Sequence, residues 1–214
     1  MYIFQPDRYL LKKQIQNVAK YVKGKVLDVG AGECDRYSDF FNSTQYIKMD
    51  VKAGKNIDIV GSVEKIPFDD ESFDCVVCTQ VFEHLKGPAL GAQEIYRVLK
   101  TGGNLLLTVP QINELHEEPY DFFRYTKFGV MQIFEGAGFK LVEYSQRGGF
   151  FTTISQLTAR YFIDRLNLYR RPILGRIFSK CFLLKGKLAI WLDKIDKSSA
   201  NKKHAIGWCF VFRK

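Results

Sequence analysis

The chain has 214 residues, of which 46% are hydrophobic, and it carries a formal net charge of +9, a composition that suits one globular domain with a substantial core. No apolar run approaches the roughly 18 residues needed to cross a bilayer, which argues against a transmembrane protein. The 5 cysteines are odd in number and irregularly spaced, which argues against a secreted disulfide scaffold. We therefore expect a single domain over residues 1–214 and a cytoplasmic location.

Hydrophobic periodicity predicts strands that alternate with helices along most of the chain. In chain order we predict a helix at 10–22, a strand at 26–29, a short helix at 36–42, strands at 46–51, 57–63 and 73–81, a helix at 87–100, a strand at 104–110, a helix at 128–139, and strands at 140–146 and 207–214. Thr126 is the expected N-cap of the helix at 128–139, and the segment 100–103 is expected to end the helix before it.

Most of the predicted strands are apolar throughout, as is typical of strands buried on both faces. We therefore predict an α/β fold: a Rossmann-like, mostly parallel seven-stranded sheet with helices on both faces, an antiparallel final strand and a C-terminal helical insert. In such sheets the ligand lies beyond the carboxyl ends of the strands, where the strand order reverses. Functional residues are therefore expected directly after strands.

The segment 150–200 has a different pattern and is predicted to be a basic amphipathic helical insert within the domain. Residues 147–214 contain 15 Lys and Arg against 3 Asp and Glu, whereas residues 1–146 contain 17 against 20. The insert has three possible roles: a surface that rests on the inner face of an anionic membrane near a lipid-linked acceptor, a nucleic-acid-binding surface, or a lid or dimer-forming helix. Nucleic acid is the less favoured partner because no recognisable RNA-binding module accompanies the insert.

The stretch VLDVGAGECDRY, residues 26–37, predicts a nucleotide-binding turn after the first strand. Gly30 and Gly32 allow a sharp turn and a close approach of the backbone to a ligand. Asp50 ends the next strand, at the position where an acid accepts hydrogen bonds from ribose hydroxyls. A dinucleotide would bring a pyrophosphate to this turn, but Glu33 and Asp35 place negative charge there. S-adenosylmethionine has no phosphate and carries cationic groups, so we favour it over a nicotinamide dinucleotide.

Asp28, within the first strand, has two possible roles in this site. It either orients the glycine loop or meets the ammonium group of the cofactor. A buried strand acid paired with backbone donors is the structural alternative.

DVGAG, Asp50 and the block GSVEKIPFDDESFDCVVCTQVFEHL…EIYRVLKTGGNLLLTVP resemble class I S-adenosylmethionine-dependent methyltransferases, particularly the group that includes ubiquinone-biosynthesis methyltransferases. The resemblance covers roughly residues 20–146. It implies a cofactor site composed of the loop Gly30, Ala31 and Gly32 at the methionine part, Asp50 at the ribose, Val51 on the adenine, Ser62 and Val63 at the adenine edge, and Gln80 near the sulfonium, with Asp28 beside them.

Two positions depart from the pattern of that family. Many members have a third glycine where this chain has Cys34, and many have an acid where it has Ser62. The hydroxyl of Ser62 can accept the hydrogen bond of the adenine amino group, although a neutral oxygen is a weaker acceptor.

The candidate catalytic residues are His84, His116 and Asp121. Histidine is suited to general-base catalysis near neutral pH. His84 follows the fourth strand, whereas His116 and Asp121 belong to the polar loop HEEPYDFFRYT after the fifth. The sequence VP…HEEPYDFFRYT…GAGF resembles methyltransferases associated with bacterial sugar and polysaccharide modification, which implies a sugar-like or carboxylate-bearing acceptor. We expect methyl transfer to a small or glycan-like acceptor at oxygen. The alternatives are an RNA methyltransferase, a lipid/quinone methyltransferase and a non-catalytic cofactor-binding regulator.

Cys75-x-x-Cys78 is the one motif that suggests a metal. Residues three apart on a strand point to opposite faces, and no second cysteine pair is present in the sequence. We therefore predict buried core cysteines and no metal site.

Overall fold

The structure is a computed structural model that describes residues 2–34 and 36–214. Its strands are β1 (Lys23–Val29), β2 (Asn42–Asp50), β3 (Ile59–Val60), β4 (Phe73–Thr79), β5 (Leu99–Pro110), β6 (Lys140–Arg147) and β7 (Gly207–Arg213). Its α-helices are α1 (Pro6–Val18), α2 (Pro88–Val98), α3 (Lys127–Gly136), α4 (Phe150–Arg165), α5 (Pro172–Ile195) and α6 (Ser199–Lys202). Short 3-10 turns lie at Ala19–Tyr21, Ser38–Phe40, Phe82–His84 and Leu168–Arg170.

The strands form one seven-stranded sheet in the order β3-β2-β1-β4-β5-β7-β6. β1 pairs in parallel with both β2 and β4, and β4 pairs in parallel with β5, whereas β7 is antiparallel. The chain order reverses between β1 and β4, so the carboxyl ends of these two strands form the position where ligands bind in open α/β sheets. The predicted Rossmann-like fold class is confirmed.

The centre of the sheet is buried because its strands are almost continuously apolar. Val26 and Leu27 of β1 and Leu105 of β5 have no exposed surface, and the same is true of Cys75 and Cys78 of β4. Burial in this apolar layer raises the pKa of both thiols, so the two cysteines are protonated at neutral pH. They are core residues, as the sequence predicts.

Several boundaries differ from the sequence-based prediction, and three of the differences arise at β2, β3 and β5. The expected helix at 36–42 is only the 3-10 turn Ser38–Phe40, and β2 already begins at Asn42, where polar residues pair with Lys23 and Gly24 of β1. The expected strand at 57–63 is reduced to the two residues of β3, which pair with Met49 and Asp50. Residues 100–103 belong to β5, because the backbone of Gly102 and Gly103 exchanges hydrogen bonds with Lys214. Backbone pairing, which has no apolar signature, sets these boundaries.

The chain divides into two compact units. One comprises Gln14–Pro110, Leu115–Ser145 and Trp208–Lys214 and contains most of the sheet with α2 and α3. Helix α3 begins as predicted, since the Thr126 hydroxyl accepts a hydrogen bond from the Gly129 N–H at 3.2 Å.

The other unit comprises Met1–Lys13, Gln111–Glu114 and Gln146–Gly207 and contains the helices α4, α5 and α6. Its own core is a cluster composed of Ile3, Phe4, Ala159, Ile163, Leu168 and Phe182. Within residues 2–34 and 36–214, none of the helices combines the length and apolar character needed to cross a membrane.

Candidate active site

The loop after β1 is shaped by glycine. Gly30 has a φ of +68°, and its N–H and that of Ala31 donate hydrogen bonds to the Met49 carbonyl at 2.8 and 3.1 Å. A Cβ at position 30 would lie 2.3 Å from Cγ2 of Val81, the second residue after β4. No side chain fits there, so the sequence requires glycine where the β1 loop crosses the end of β4.

Gly32 and Asp50 connect this loop to the end of β2. The Gly32 N–H donates to Oδ2 of Asp50 at 3.0 Å, and the Lys52 N–H donates to Oδ1 at 3.1 Å. Gly32 has a φ of +63°, and a Cβ built on it meets no atom of the described residues within 4 Å. The loop therefore leaves open space beside a carboxylate that uses about two of its four acceptor positions on these donors.

The acids of the glycine loop have different surroundings. Asp28 is half-buried and accepts a hydrogen bond from the Tyr46 hydroxyl at 2.8 Å, so this strand acid is paired with a side chain of β2. Glu33 and Cys34 are exposed, and the Glu33 carbonyl accepts a hydrogen bond from the Asn56 side-chain amide at 2.9 Å. Asp35, the remaining acid of the predicted turn, lies outside the described residues.

The residues predicted to lie beside the adenine differ in side-chain exposure and in hydrogen bonding. Val51 is 65% exposed directly after β2 and offers an apolar surface. The Ser62 hydroxyl accepts a hydrogen bond from the Glu64 N–H at 3.2 Å. Val63 is 3% exposed and its side chain lies near Gly91, so only its main chain is available to a ligand.

Gln80, directly after β4, has an unusual backbone conformation. Its φ of +57° lies in the left-handed region, which residues other than glycine, asparagine and aspartate rarely adopt. Its N–H donates to the Thr108 carbonyl at 2.9 Å and its side-chain amide to the Thr108 hydroxyl at 3.2 Å. These bonds to β5 hold the strained residue at the strand end, and such strain is concentrated at functional sites.

The structure brings the two predicted catalytic histidines together. His84 lies in the 3-10 turn after β4, and its ring meets that of His116 edge to face with the centroids 4.9 Å apart. Nδ1 of His84 is 2.6 Å from the Tyr120 carbonyl oxygen, which can only accept, so this nitrogen carries the proton. The Nε2 atom of neutral His84 is therefore a proton acceptor.

His116 is held in the same way by the third predicted residue. The backbone N–H of His116 donates to Oδ2 of Asp121 at 2.9 Å, and the ring Nδ1 lies 3.3 Å from the same oxygen. Arg124 donates to both oxygens of Asp121 at 2.7 Å, and these bonds lower the pKa of Asp121 to about 2. Asp121 is thus ionised at neutral pH and favours the tautomer of His116 in which Nδ1 carries the proton and Nε2 does not.

Glu83 completes this group of side chains and was not among the residues predicted from the sequence. It is fully buried, and its Oε1 lies 3.9 Å from Nε2 of His116. Glu83, His84 and His116 each place one possible ligand atom within 4.8 Å of the other two. These residue types can hold a divalent cation if the three ligand atoms move slightly closer together. The signal for it in the sequence is an acid beside His84 shortly after a strand.

The chain matches known methyltransferases in sequence and in fold. Residues 27–107 match the methyltransferase domain family. The uncharacterized protein MJ0638 of Methanocaldococcus jannaschii is 30% identical over 200 residues, which cover 88% of this chain and 84% of that protein. The ubiquinone/menaquinone biosynthesis C-methyltransferase UbiE of Enterobacter sp. (strain 638) is 29% identical over 113 residues, 47% of this chain and 45% of that enzyme.

A similar fold is found in the S-adenosylmethionine-dependent methyltransferase of Mesorhizobium loti, with a TM-score of 0.58 and 12% identity over 98% of this chain and 100% of that one. The fold, with its glycine loop and strand-end acid, is that of a Rossmann-like methyltransferase. The chain belongs to the class I S-adenosylmethionine-dependent methyltransferases, and S-adenosylmethionine is its cofactor. The predicted family and cofactor are confirmed.

Proposed function

We propose that the protein transfers a methyl group from S-adenosylmethionine to a hydroxyl oxygen of a glycan-like or other small acceptor, with His116 as the general base. The observation that carries this proposal is the pair of imidazoles after β4 and β5. Each has its Nδ1 held by an oxygen, at the Tyr120 carbonyl for His84 and at the Asp121 carboxylate for His116. In these tautomers Nε2 is the unprotonated nitrogen of each ring, which is the form that a general base requires at the ligand-binding edge of the sheet.

The residues of the β1 and β2 ends fit the cofactor. The open space at Gly32 admits the methionine part, and the Asp50 carboxylate retains acceptor positions for ribose hydroxyls. Val51 offers the exposed apolar surface that an adenine ring would cover. Asp28 accepts a hydrogen bond from the Tyr46 hydroxyl, which joins β1 to β2 two residues before Gly30. Gln80, Ser62 and the Val63 main chain complete this proposed site.

When bound, S-adenosylmethionine supplies a methyl group that is already activated for displacement. The task of the chain is then to align the acceptor oxygen and to remove its proton. His116 accepts that proton at Nε2, and the ionised Asp121 stabilises the imidazolium that results. His84 positions the acceptor hydroxyl from the neighbouring ring.

The test is transfer of labelled methyl groups from S-adenosylmethionine into fractionated cell extract, with wild-type protein and with His116→Gln. We expect label in a glycan or lipid-linked fraction, and a fall in rate of about 10²–10⁴-fold for the variant, the usual contribution of a general base. Cofactor affinity, measured by calorimetry, should not change. His204→Gln is the matched control because His204 belongs to the other compact unit, and it should retain the wild-type rate.

Three results would contradict the proposal. A wild-type rate for His116→Gln would show that His116 is not the general base. Label in RNA or protein would show that the acceptor is not glycan-like. Loss of activity with a chelator and its return with a divalent cation would assign Glu83, His84 and His116 to a cation instead.

A second candidate is C-methylation of a quinone-like phenolic ring. It is supported by the similarity to the C-methyltransferase UbiE, which spans 47% of this chain. The same base would remove a phenolic proton and thereby direct electron density to a ring carbon. The chemical shift of a 13C-labelled methyl group in the product distinguishes the two reactions, since a methyl on oxygen resonates well downfield of one on carbon.

A further inference from the structure

Helix α5 exposes a continuous row of large apolar side chains. Six of them are between 54% and 75% exposed: Ile173, Ile177, Leu184, Leu188, Trp191 and Ile195. At 100° per residue they fall within an arc of about 60°, and at 1.5 Å per residue the row is about 33 Å long. We call these six side chains the apolar row. Rows of this size are unusual on the surface of a monomeric protein and mark a binding surface.

The opposite side of α5 is packed against its own unit, which fixes the direction of the apolar row. Gly175, Phe182, Gly186 and Ala189 are buried on that side. A Cβ at Gly186 would lie 2.7 Å from the ring of Phe4, so the helix is seated closely on that side chain. The apolar row lies roughly half a turn away from this contact and therefore faces outward.

Cations flank the apolar row. Arg176, Lys180, Lys187 and Lys194 are all exposed and follow one side of it, within about 60° of its edge. The one acid of α5, Asp193, has its carboxylate committed to the start of α4. It accepts hydrogen bonds from the N–H groups of residues 149, 151 and 152 at 2.8–3.1 Å. The exposed surface of α5 is thus apolar and cationic.

We propose that the apolar row of α5 lies on an anionic membrane surface, with the helix parallel to the bilayer plane. An apolar row bordered by cations, with Trp191 within it, suits the boundary between lipid headgroups and acyl chains. A second copy of the chain would bring two rows of cations together, and RNA would leave the apolar side chains uncovered. The proposal goes beyond methyl transfer and does not depend on the identity of the acceptor.

The experiment measures partition of the full chain onto phosphatidylcholine vesicles with and without phosphatidylglycerol. The sequence contains 2 tryptophans, and Trp208 is buried, so a Trp208→Phe variant leaves Trp191 as the reporter. We expect a blue shift of its emission and co-sedimentation with the anionic vesicles alone, both weakened by salt. Leu184→Asn with Leu188→Asn should reduce the partition coefficient by about tenfold or more.

The control removes apolar surface elsewhere: Leu90→Asn with Phe128→Asn, two exposed positions of the other unit, should leave partition unchanged. Circular dichroism verifies that each variant is folded. An absence of partition onto anionic vesicles would overturn the proposal. A dimer that the Leu184→Asn and Leu188→Asn pair dissociates, or saturable binding to single-stranded RNA in place of vesicles, would also overturn it. None of these readouts requires methyl transfer, so failure here leaves the proposed function intact.

Discussion

Asp50 offers the most direct test of the cofactor site, because its carboxylate joins the glycine loop to the end of β2. Asp50→Ala removes the acceptor of the Gly32 and Lys52 N–H groups, at 3.0 and 3.1 Å, and the proposed ribose contact. Both N–H groups are exposed enough to bond water instead, so the free energy of unfolding should fall by about 1 kcal/mol or less. A lost hydrogen bond to a charged group should weaken cofactor binding by about 1–3 kcal/mol, or about 5- to 150-fold in Kd.

Calorimetry with S-adenosylmethionine measures that affinity, and urea unfolding of the same samples measures stability. Asp58→Ala is the matched control: its carboxylate also accepts one backbone hydrogen bond, from the Lys48 N–H at 2.8 Å, at an exposed position beside β3. We expect the control to bind like the wild type. Equal affinities for wild-type and Asp50→Ala protein would refute the assignment of Asp50 to the cofactor site. A matching loss in the control would show that the effect is general to this edge of the sheet.

Two glycine variants should separate folding from cofactor binding. Gly30→Ala places a Cβ 2.3 Å from Val81 at a φ of +68° and should lower the free energy of unfolding by about 2–4 kcal/mol. Gly32→Ala should lower it by only about 1 kcal/mol, but its methyl group occupies the open space and should weaken cofactor binding. Equal melting temperatures would contradict this. Asp193→Asn should destabilise the protein by about 1–3 kcal/mol, because an amide replaces the carboxylate that caps α4, whereas Asp164→Asn, at an exposed pair, should change stability by about 0.5 kcal/mol or less. Urea unfolding measures the stability of the two aspartate variants. A loss in Asp193→Asn no larger than that in Asp164→Asn would show that the cap is unimportant.

The fold was predictable where hydrophobicity reports it. The central strands are apolar on both faces, so the hydrophobic pattern along the sequence predicts their existence and their order in the chain. The start of β2 was not predictable in this way, since Asn42 and Ser43 are polar and belong to the strand only because their backbones pair with β1. Residues 100–103 are likewise predicted as a helix end although they belong to β5. Their glycines join that strand because they pair with Lys214, at the far end of the sequence, and local sequence does not report this pairing.

The sequence predicts which residue types lie at the candidate site but not the contacts between them. Residues that follow strands must meet at one edge of a parallel sheet, which is why His84 and His116 could be named together. The partners that fix their tautomers, the Tyr120 carbonyl and the Asp121 carboxylate, depend on the path of a loop. Glu83 was missed because burial next to apolar residues is a property of the folded chain and not of its local sequence.

The five residues after β4 connect the two halves of the proposed site. Gln80 turns the chain in a left-handed conformation, and this turn places Val81 beneath Gly30 of the cofactor loop. Three residues after Gln80, the Glu83 carbonyl accepts hydrogen bonds from the N–H groups of residues 122 and 123, at 2.8 and 3.2 Å, and so anchors the polar loop that contains His116. One short segment thus sets the position of both loops. An in-line displacement requires nucleophile and methyl carbon to be aligned within a fraction of an ångström, so we expect a change in the backbone conformation of Gln80 to displace both loops and slow the reaction.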